Sequence, residues 1–85
     1  MNIKEMNYPF DVGVANIIKQ KGLKHVYVAE KAGYTKQELS EMVNGRRLIK
    51  ARDILRISIA LGVTADDIYA AGTETAVRNA EKEVV

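Results

Sequence analysis

Glycine divides this chain into short stretches of helical periodicity, and that spacing limits the folds that the sequence can adopt. Gly22, Gly33 and Gly62 each follow a run in which apolar residues recur every three or four positions. Asn44-Gly45 closes a further run. Glycine accepts positive φ at little cost and often ends helices. The single proline, Pro9, stands where it can open a helix and interrupts none of these runs. The sequence therefore predicts five short helices joined by short loops, with no room for a sheet.

The boundaries of these helices come from apolar spacing and from capping residues. In the first helix, four apolar side chains share one face through their i, i+4, i+7, i+8 spacing. Thr35 and Glu38 fit a capping box at the start of the third, and Thr64 fits the N-cap of the fifth. The first four predicted helices cover about residues 10–21, 25–32, 36–43 and 50–61.

With 85 residues, the chain has the length of one domain. We expect residues 1–9 to form an N-terminal arm, 10–71 a helical domain, and 72–85 a polar, acidic tail or a short extra helix. No apolar run approaches the length of about 18 residues that a membrane span needs, and the N-terminus lacks the apolar core of a signal peptide. We therefore expect a cytoplasmic protein that does not bind membranes.

Composition also limits the chemistry. Cysteine is absent, which removes disulfides and zinc-thiolate sites, and one histidine cannot hold a metal alone. No metal or cofactor is expected. Charge is unevenly placed, since residues 1–65 hold 11 basic and 6 acidic side chains whereas residues 66–85 hold 2 and 5. This split favours a body that faces a polyanion and an end that faces solvent or a partner.

The second and third predicted helices have the spacing of a helix-turn-helix. Counting His25 as the first position, Ala29 is the fifth, where crossing helices leave room only for a small side chain. Gly33 is the ninth, where the turn needs positive φ. The positions expected to face the core hold Val28, Ala32, Tyr34, Leu39 and Met42. The residues expected to build the motif are Ala29, Gly33, Thr35, Glu38 and Leu39.

From about Val14 to Tyr69, the sequence resembles the Cro/phage-repressor (XRE-like) class of helix-turn-helix domains. Beside the Ala29 and Gly33 pair, the likeness rests on the fragments Gly22-Leu23, Ala29-Glu30-Lys31, Asn44-Gly45-Arg46 and Ala60-Leu61-Gly62-Val63. The resemblance implies an all-α, five-helix, lambda-repressor-like domain. It further implies that the third helix enters the DNA major groove and that a two-fold dimer binds a near-palindromic site. The chain departs from the family at His25, commonly glutamine, and at Leu48 and Ile49, where the loop is commonly polar.

The outward face of the third predicted helix carries side chains that can read bases. Successive residues of a helix are about 100° apart, so the polar residues of this helix fall on the side opposite the apolar side that contains Leu39 and Met42. Lysine can donate to guanine, glutamine can pair with adenine, and glutamate can accept from cytosine. The predicted base-reading residues are Lys36, Gln37, Ser40 and Glu41. For Glu41 two outcomes stay open, since its carboxylate either reads cytosine or weakens the contact with DNA. The alternative interpretation of the whole face is a solvated surface.

Groups that flank this helix are expected to contact phosphates, which fixes the register without reading sequence. The predicted phosphate-contacting residues are Lys24, His25, Asn44, Arg46, Arg47 and Lys50. An ordinary charged surface is the alternative for the arginines and lysines, and a simple surface or capping role is the alternative for His25.

The fourth predicted helix has more apolar surface than one core requires. Its main apolar side is predicted to hold Ala51, Ile54, Leu55, Ser58 and Leu61. With Ile57 and Ile59 on the flanks, the apolar arc spans about 200°, twice the roughly 100° expected for one core. This favours a homodimer contact through the residues Leu48, Ile49 and Ile59. The alternative is that neighbouring helices cover both flanks within the monomer.

Together these patterns predict a sequence-specific regulator of transcription that binds double-stranded DNA, acting as a homodimeric repressor. The alternative is a protein-interaction module of the same fold, such as an antitoxin-like partner, with the C-terminal tail as a possible contact for another protein. An enzyme is not expected, because the sequence holds no nucleophile and base pair, metal-ligand cluster or phosphate-cradling glycine loop.

Overall fold

The computed structural model describes residues 2–73, and the only regular secondary structure in that range is helical. The all-α fold is therefore confirmed. The helices are α1 (Ile3–Asn7), α2 (Phe10–Lys21), α3 (His25–Ala32), α4 (Lys36–Val43), α5 (Ala51–Leu61) and α6, which is described over 65–73. Helix α1 lies in the predicted N-terminal arm, so the predicted second and third helices are α3 and α4. Most of the predicted C-terminal tail, from residue 74 on, lies outside the described residues.

Predicted caps and stops are confirmed where the helices begin and end. Gly33 adopts the left-handed conformation with φ 86°. The Thr35 hydroxyl accepts from the Glu38 N–H at 3.1 Å, and the Glu38 carboxylate accepts from the Thr35 N–H at 2.9 Å. That backbone hydrogen bond is the main reason that the pKa of Glu38 lies below its ordinary value. Thr64 and Asp67 form the same reciprocal pair at the start of α6.

Helices α2 through α6 share one hydrophobic core. Val14, Val28, Leu39, Ile57 and Ile68 are fully buried and come from five successive helices. Helix α3 packs against both α4 and α5, and α2 packs against the same two helices. This arrangement fixes α4 along one side and leaves its other side on the surface.

The apolar side of α5 differs from the prediction. Leu55 is 62% exposed, whereas Ile57 and Leu61 are buried. These two residues are one turn apart and face the core, and Leu55 and Ile59 form a second row that faces solvent. The prediction for Leu55 was wrong because an arc of about 200° offers two possible core faces, and packing against α3 selects the one that contains Ile57.

Helix α6 lies across the beginning of α2 with almost no space between the backbones. A Cβ atom placed on Gly13 would lie 1.8 Å from the carbonyl oxygen of Ile68, and one placed on Gly72 would lie 2.1 Å from that of Pro9. Beside this crossing, the rings of Phe10 and Tyr69 pack with their centroids 5.3 Å apart. The two glycines allow the close approach that buries Ile68.

Within residues 2–73, no helix is both long and apolar enough to cross a membrane. In the same range, no three acidic or histidine side chains come together as a group that could hold a metal ion.

Candidate nucleic-acid interface

The turn between α3 and α4 sets the direction of the candidate recognition helix. Ala29 is fully buried on α3, the helix that packs against α4. After the left-handed residue Gly33, the Tyr34 N–H donates to the Ala29 carbonyl at 2.8 Å. A larger side chain at Ala29 would push the helices apart, so the turn depends on both positions that the spacing identified.

Helix α4 presents its first turn to solvent. Lys36 and Gln37 are exposed, while Leu39 and Met42 on the opposite side are buried. The apolar contacts hold the helix axis in place, and the two polar side chains extend from a fixed backbone. The structure thus brings Lys36 and Gln37 together on one accessible surface.

Two further predicted base readers already have partners within the protein. Asn44 donates through Nδ2 to the Ser40 hydroxyl at 3.1 Å and to the Ser40 carbonyl at 2.9 Å. Glu41 is paired with Arg47, whose Nη2 lies 3.1 Å from the Glu41 carboxylate. Ser40 and Glu41 are half-buried. Their side chains are therefore less available to DNA than those of Lys36 and Gln37.

The pairing of Glu41 also changes its electrostatic effect on this surface. Its carboxylate would repel DNA phosphates, but the Arg47 guanidinium balances that charge locally. Because both side chains are partly exposed, the pair contributes at most about 1 kcal/mol to stability. Its main consequence is that Arg47 lies against the end of α4.

The predicted phosphate-contacting residues stand at the start of the helix-turn-helix and after its end along the chain. Lys24 and His25 are exposed at the beginning of α3. Arg46, Arg47 and Lys50 are exposed in the loop of residues 44–50, which joins α4 to α5. Arg47 and Lys50 also border an open cleft of about 430 Å³ beside the first turn of α4. The exposed cations therefore stand at the start of α3 and just after the end of α4.

Tyr34 connects the turn to the beginning of α5, a role that no local sequence pattern indicates. Its hydroxyl donates to Asp53 Oδ1 at 2.5 Å, and Asp53 Oδ2 accepts from the Lys50 N–H at 3.0 Å. Burial, followed by the hydrogen bond and charge of Asp53, raises the pKa of Tyr34 to about 12. Burial disfavours the Asp53 carboxylate, but the Tyr34 and Lys50 hydrogen bonds, together with the charges of Arg56 and Arg52, outweigh it, so the pKa of Asp53 is lowered. Tyr34 is therefore a neutral donor, and Asp53 a charged acceptor, at neutral pH.

Asn7 is a second residue that the sequence patterns did not identify. It is 2% exposed and bonds to three backbone groups between Met42 and Ile49. Its partners lie 35 to 42 positions away along the chain, so no local spacing relates them.

The residues predicted for a dimer contact occupy different environments. Ile59 is 68% exposed and stands one turn from Leu55 on α5. Leu48 is half-buried. Ile49 packs against the core and donates its N–H to Asn7 at 2.9 Å.

A short helix packed on the core through one face, a glycine turn and a second helix with an exposed polar face define a helix-turn-helix domain of the DNA-binding class. A family model described as Helix-turn-helix matches residues 14–68, and the chain belongs to this helix-turn-helix family. The match confirms the resemblance to the Cro/phage-repressor (XRE-like) class. Membership of this family makes the chain a DNA-binding regulator of transcription.

Among solved structures, the fold is similar to the crystal structure of the clp gene regulator ClgR from Corynebacterium glutamicum. The TM-score is 0.76 at 19% sequence identity, and the alignment covers 93% of this chain and 85% of that chain. At this identity the likeness establishes the shared fold. Comparison with curated proteins found no match to the sequence.

Proposed function

We propose that this protein is a repressor that recognises a near-palindromic operator in double-stranded DNA as a homodimer. The observation that carries the proposal is the presentation of Lys36 and Gln37 on the exposed first turn of a helix whose other side is anchored by Leu39 and Met42. Such a helix fits the major groove with its N-terminal residues at the base edges. Regulation follows from occupancy of the site and needs no catalysis.

Lys36 and Gln37 are the principal base readers in this proposal. Lysine donates to guanine O6 and N7, and glutamine pairs with adenine N6 and N7. Ser40 and Glu41 are secondary readers, because each would have to give up or share its contact with Asn44 or Arg47. The first turn of α4 therefore carries most of the specificity.

Phosphate contacts come from the two ends of the helix-turn-helix. Lys24 and His25 stand at the N-terminus of α3, where backbone N–H groups also favour an anion. The cations of the 44–50 loop supply the other end, and Asn44 holds the last turn of α4 through its bonds to Ser40. These contacts fix the position of α4 in the groove and are independent of sequence.

Selection of bound duplexes from a random pool tests the proposal. We expect enrichment of a near-palindrome whose half-sites are centred about 34 Å apart, which is one helical turn of DNA. Binding should weaken by about 0.9 log unit per log unit of salt for each phosphate neutralised. A pool that shows no enrichment, with binding absent even at low salt, would refute DNA recognition and favour the protein-interaction alternative.

Substituting alanine for Gln37 should relax specificity at one operator position. Since the carboxamide pairs with a single base, we expect discrimination at that position to fall by about 1 to 3 kcal/mol, with other positions unchanged. Competition binding with single-base operator variants measures this. Gln20→Ala is the matched control, because Gln20 is an exposed glutamine on α2. Equal loss at every position would assign Gln37 to phosphate contact instead.

The exposed row on α5 supports the homodimer. Leu55 and Ile59 are large apolar side chains at 62% and 68% exposure, one turn apart, and Leu48 is the proposed edge of the contact. Contiguous exposed apolar surface marks sites of protein contact, and these two side chains adjoin on one face of the helix. The packing of Ile49 against the core makes its share in the contact small.

Replacing Leu55 and Ile59 together with glutamate should separate the dimer. Burying two carboxylates in the contact is expected to raise the dimer dissociation constant at least about 30-fold, which sedimentation would show without DNA. Operator affinity should fall in parallel. Met6→Glu, at an exposed apolar residue of α1, is the control. A wild-type protein that sediments as a monomer at micromolar concentrations would contradict a dimer formed before DNA binding.

A further inference from the structure

The N-terminal segment reaches the loop of residues 44–50 through one buried side chain. Asn7 Nδ2 donates to the carbonyls of Met42 at 3.2 Å and Arg47 at 2.9 Å, and Oδ1 accepts from the Ile49 N–H at 2.9 Å. A carboxamide has two N–H donors and one carbonyl acceptor, and here all three are used. The bonds enclose the stretch of chain that contains Arg46 and Arg47.

A second contact fastens the same segment to the loop. Gly45 has φ 75°, and a Cβ atom placed on it would lie 2.6 Å from Cδ and 2.9 Å from Cβ of Lys4. Lys4 thus lies directly against the loop backbone. Its ammonium group is also 3.1 Å from the carboxylate of Asp11, a fully buried residue of α2. Helix α1 therefore connects α2 to the loop.

We propose that Asn7 is a positioning residue for DNA binding, which holds the 44–50 loop in the conformation that presents Arg46 and Arg47 to phosphates. This inference rests on the proposed function. The loop has no helical hydrogen-bond ladder of its own, and the N–H groups of Arg46 and Arg47 are held at one end by the Glu41 carbonyl. Asn7 bonds the Arg47 carbonyl and the Ile49 N–H in the middle of the loop, and the Lys50 N–H at its other end donates to Asp53.

Loss of these bonds should weaken DNA binding through the loop. Without Asn7, the Arg47 carbonyl and the Ile49 N–H lose their side-chain partner, and the loop backbone can take other conformations. The displaced loop would then make fewer phosphate contacts, and those that remain would require it to be ordered on binding, which subtracts from the affinity. Because phosphate contacts carry no sequence information, the loss should be the same for operator and random duplexes.

Asn7→Ala, measured with the full chain on the selected operator and on a random duplex, tests the proposal. We expect the Kd for both duplexes to rise about 10-fold. The slope of log association constant against log salt should become shallower by about one to two units. Combining Asn7→Ala with Arg46→Ala and Arg47→Ala completes a mutant cycle. If Asn7 acts through the arginines, its substitution should change the Kd of the arginine-free protein by less than about twofold.

Matched variants separate positioning from a general loss of stability. Ile17→Val removes a methyl group from the core on α2, so it should lower the Tm and leave the salt slope unchanged. Asn7→Ser is the second variant if Asn7→Ala does not fold, with the same direction expected. In amide hydrogen exchange, protection of the Ile49 N–H should fall in both Asn7 variants, while that of Leu39 in α4 is retained.

The outcomes distinguish this inference from the proposed function. Suppose that the wild-type protein binds DNA with steep salt dependence. If Asn7→Ala then has the wild-type Kd and slope, or if its effect adds fully to that of the arginine substitutions, the positioning role of Asn7 is overturned and the proposed function stands. If the wild-type protein binds no duplex at low salt, both proposals are overturned.

Discussion

Gly13→Ala is expected to destabilise the protein by about 3 kcal/mol or more, a large part of the roughly 5 to 15 kcal/mol that holds a small domain together. The added Cβ would lie 1.8 Å from the Ile68 carbonyl oxygen and 2.8 Å from its carbonyl carbon. Both are backbone atoms, so no side chain can rotate away. Helix α6 would have to move, which opens the core around the fully buried Ile68.

The sign of this effect separates packing from local propensity. Gly13 lies within α2, where helix propensity alone predicts that alanine stabilises by about 1 kcal/mol. Urea unfolding followed by circular dichroism measures the difference. Gly62→Ala is the matched control: its φ of 70° strains alanine by about 1 to 2 kcal/mol, and its Cβ would meet no atom within 4 Å. A Gly13→Ala protein as stable as the wild type would contradict the close crossing of α2 and α6.

The turn and the cap of α4 could be predicted from the sequence because each is local. Thr35 and Glu38 bond to each other across three residues, and Ala29 and Gly33 are separated by one helical turn. In such cases the backbone conformation requires a particular residue type at a fixed offset. The exposed face of α4 follows from the same periodicity, since the buried positions of a short helix determine which positions remain outside.

Contacts between distant parts of the chain could not be predicted in this way. Gly13 meets Ile68, and Asn7 meets Arg47, only after the helices have packed. Asparagine near the N-terminus of a chain is unremarkable as a sequence feature, and its value here comes from three backbone groups that the fold brings to it. The prediction of the buried face of α5 was wrong at Leu55 for a related reason. Two apolar rows satisfy the same periodicity, and only packing against the neighbouring helices decides which row is buried.

Arg46 and Arg47 are the cations whose loss should weaken DNA binding most. Both are exposed, and their N–H groups bond to one carbonyl, that of Glu41, which places the two residues together at the end of α4. The contact between Arg47 and Glu41 uses one guanidinium nitrogen, and the remaining donors can still reach a phosphate. In a dimer, the two subunits would bring four such arginines to one operator.

Replacing both arginines with alanine should therefore reduce the slope of log K against log salt by about three to four units, because four phosphate contacts contribute about 0.9 each. At low salt, affinity should fall roughly 100-fold for operator and random duplexes alike, since these contacts read no bases. The double substitution should also leave the Glu41 carboxylate without its arginine partner beside DNA, which adds repulsion between this carboxylate and the phosphates. Fluorescence anisotropy across a salt series measures both quantities. Lys19→Ala with Lys21→Ala removes the same charge from the end of α2 and should leave the slope nearly unchanged. Equal losses in the two double variants would mean that binding follows net charge, and the loop would then have no special place in recognition.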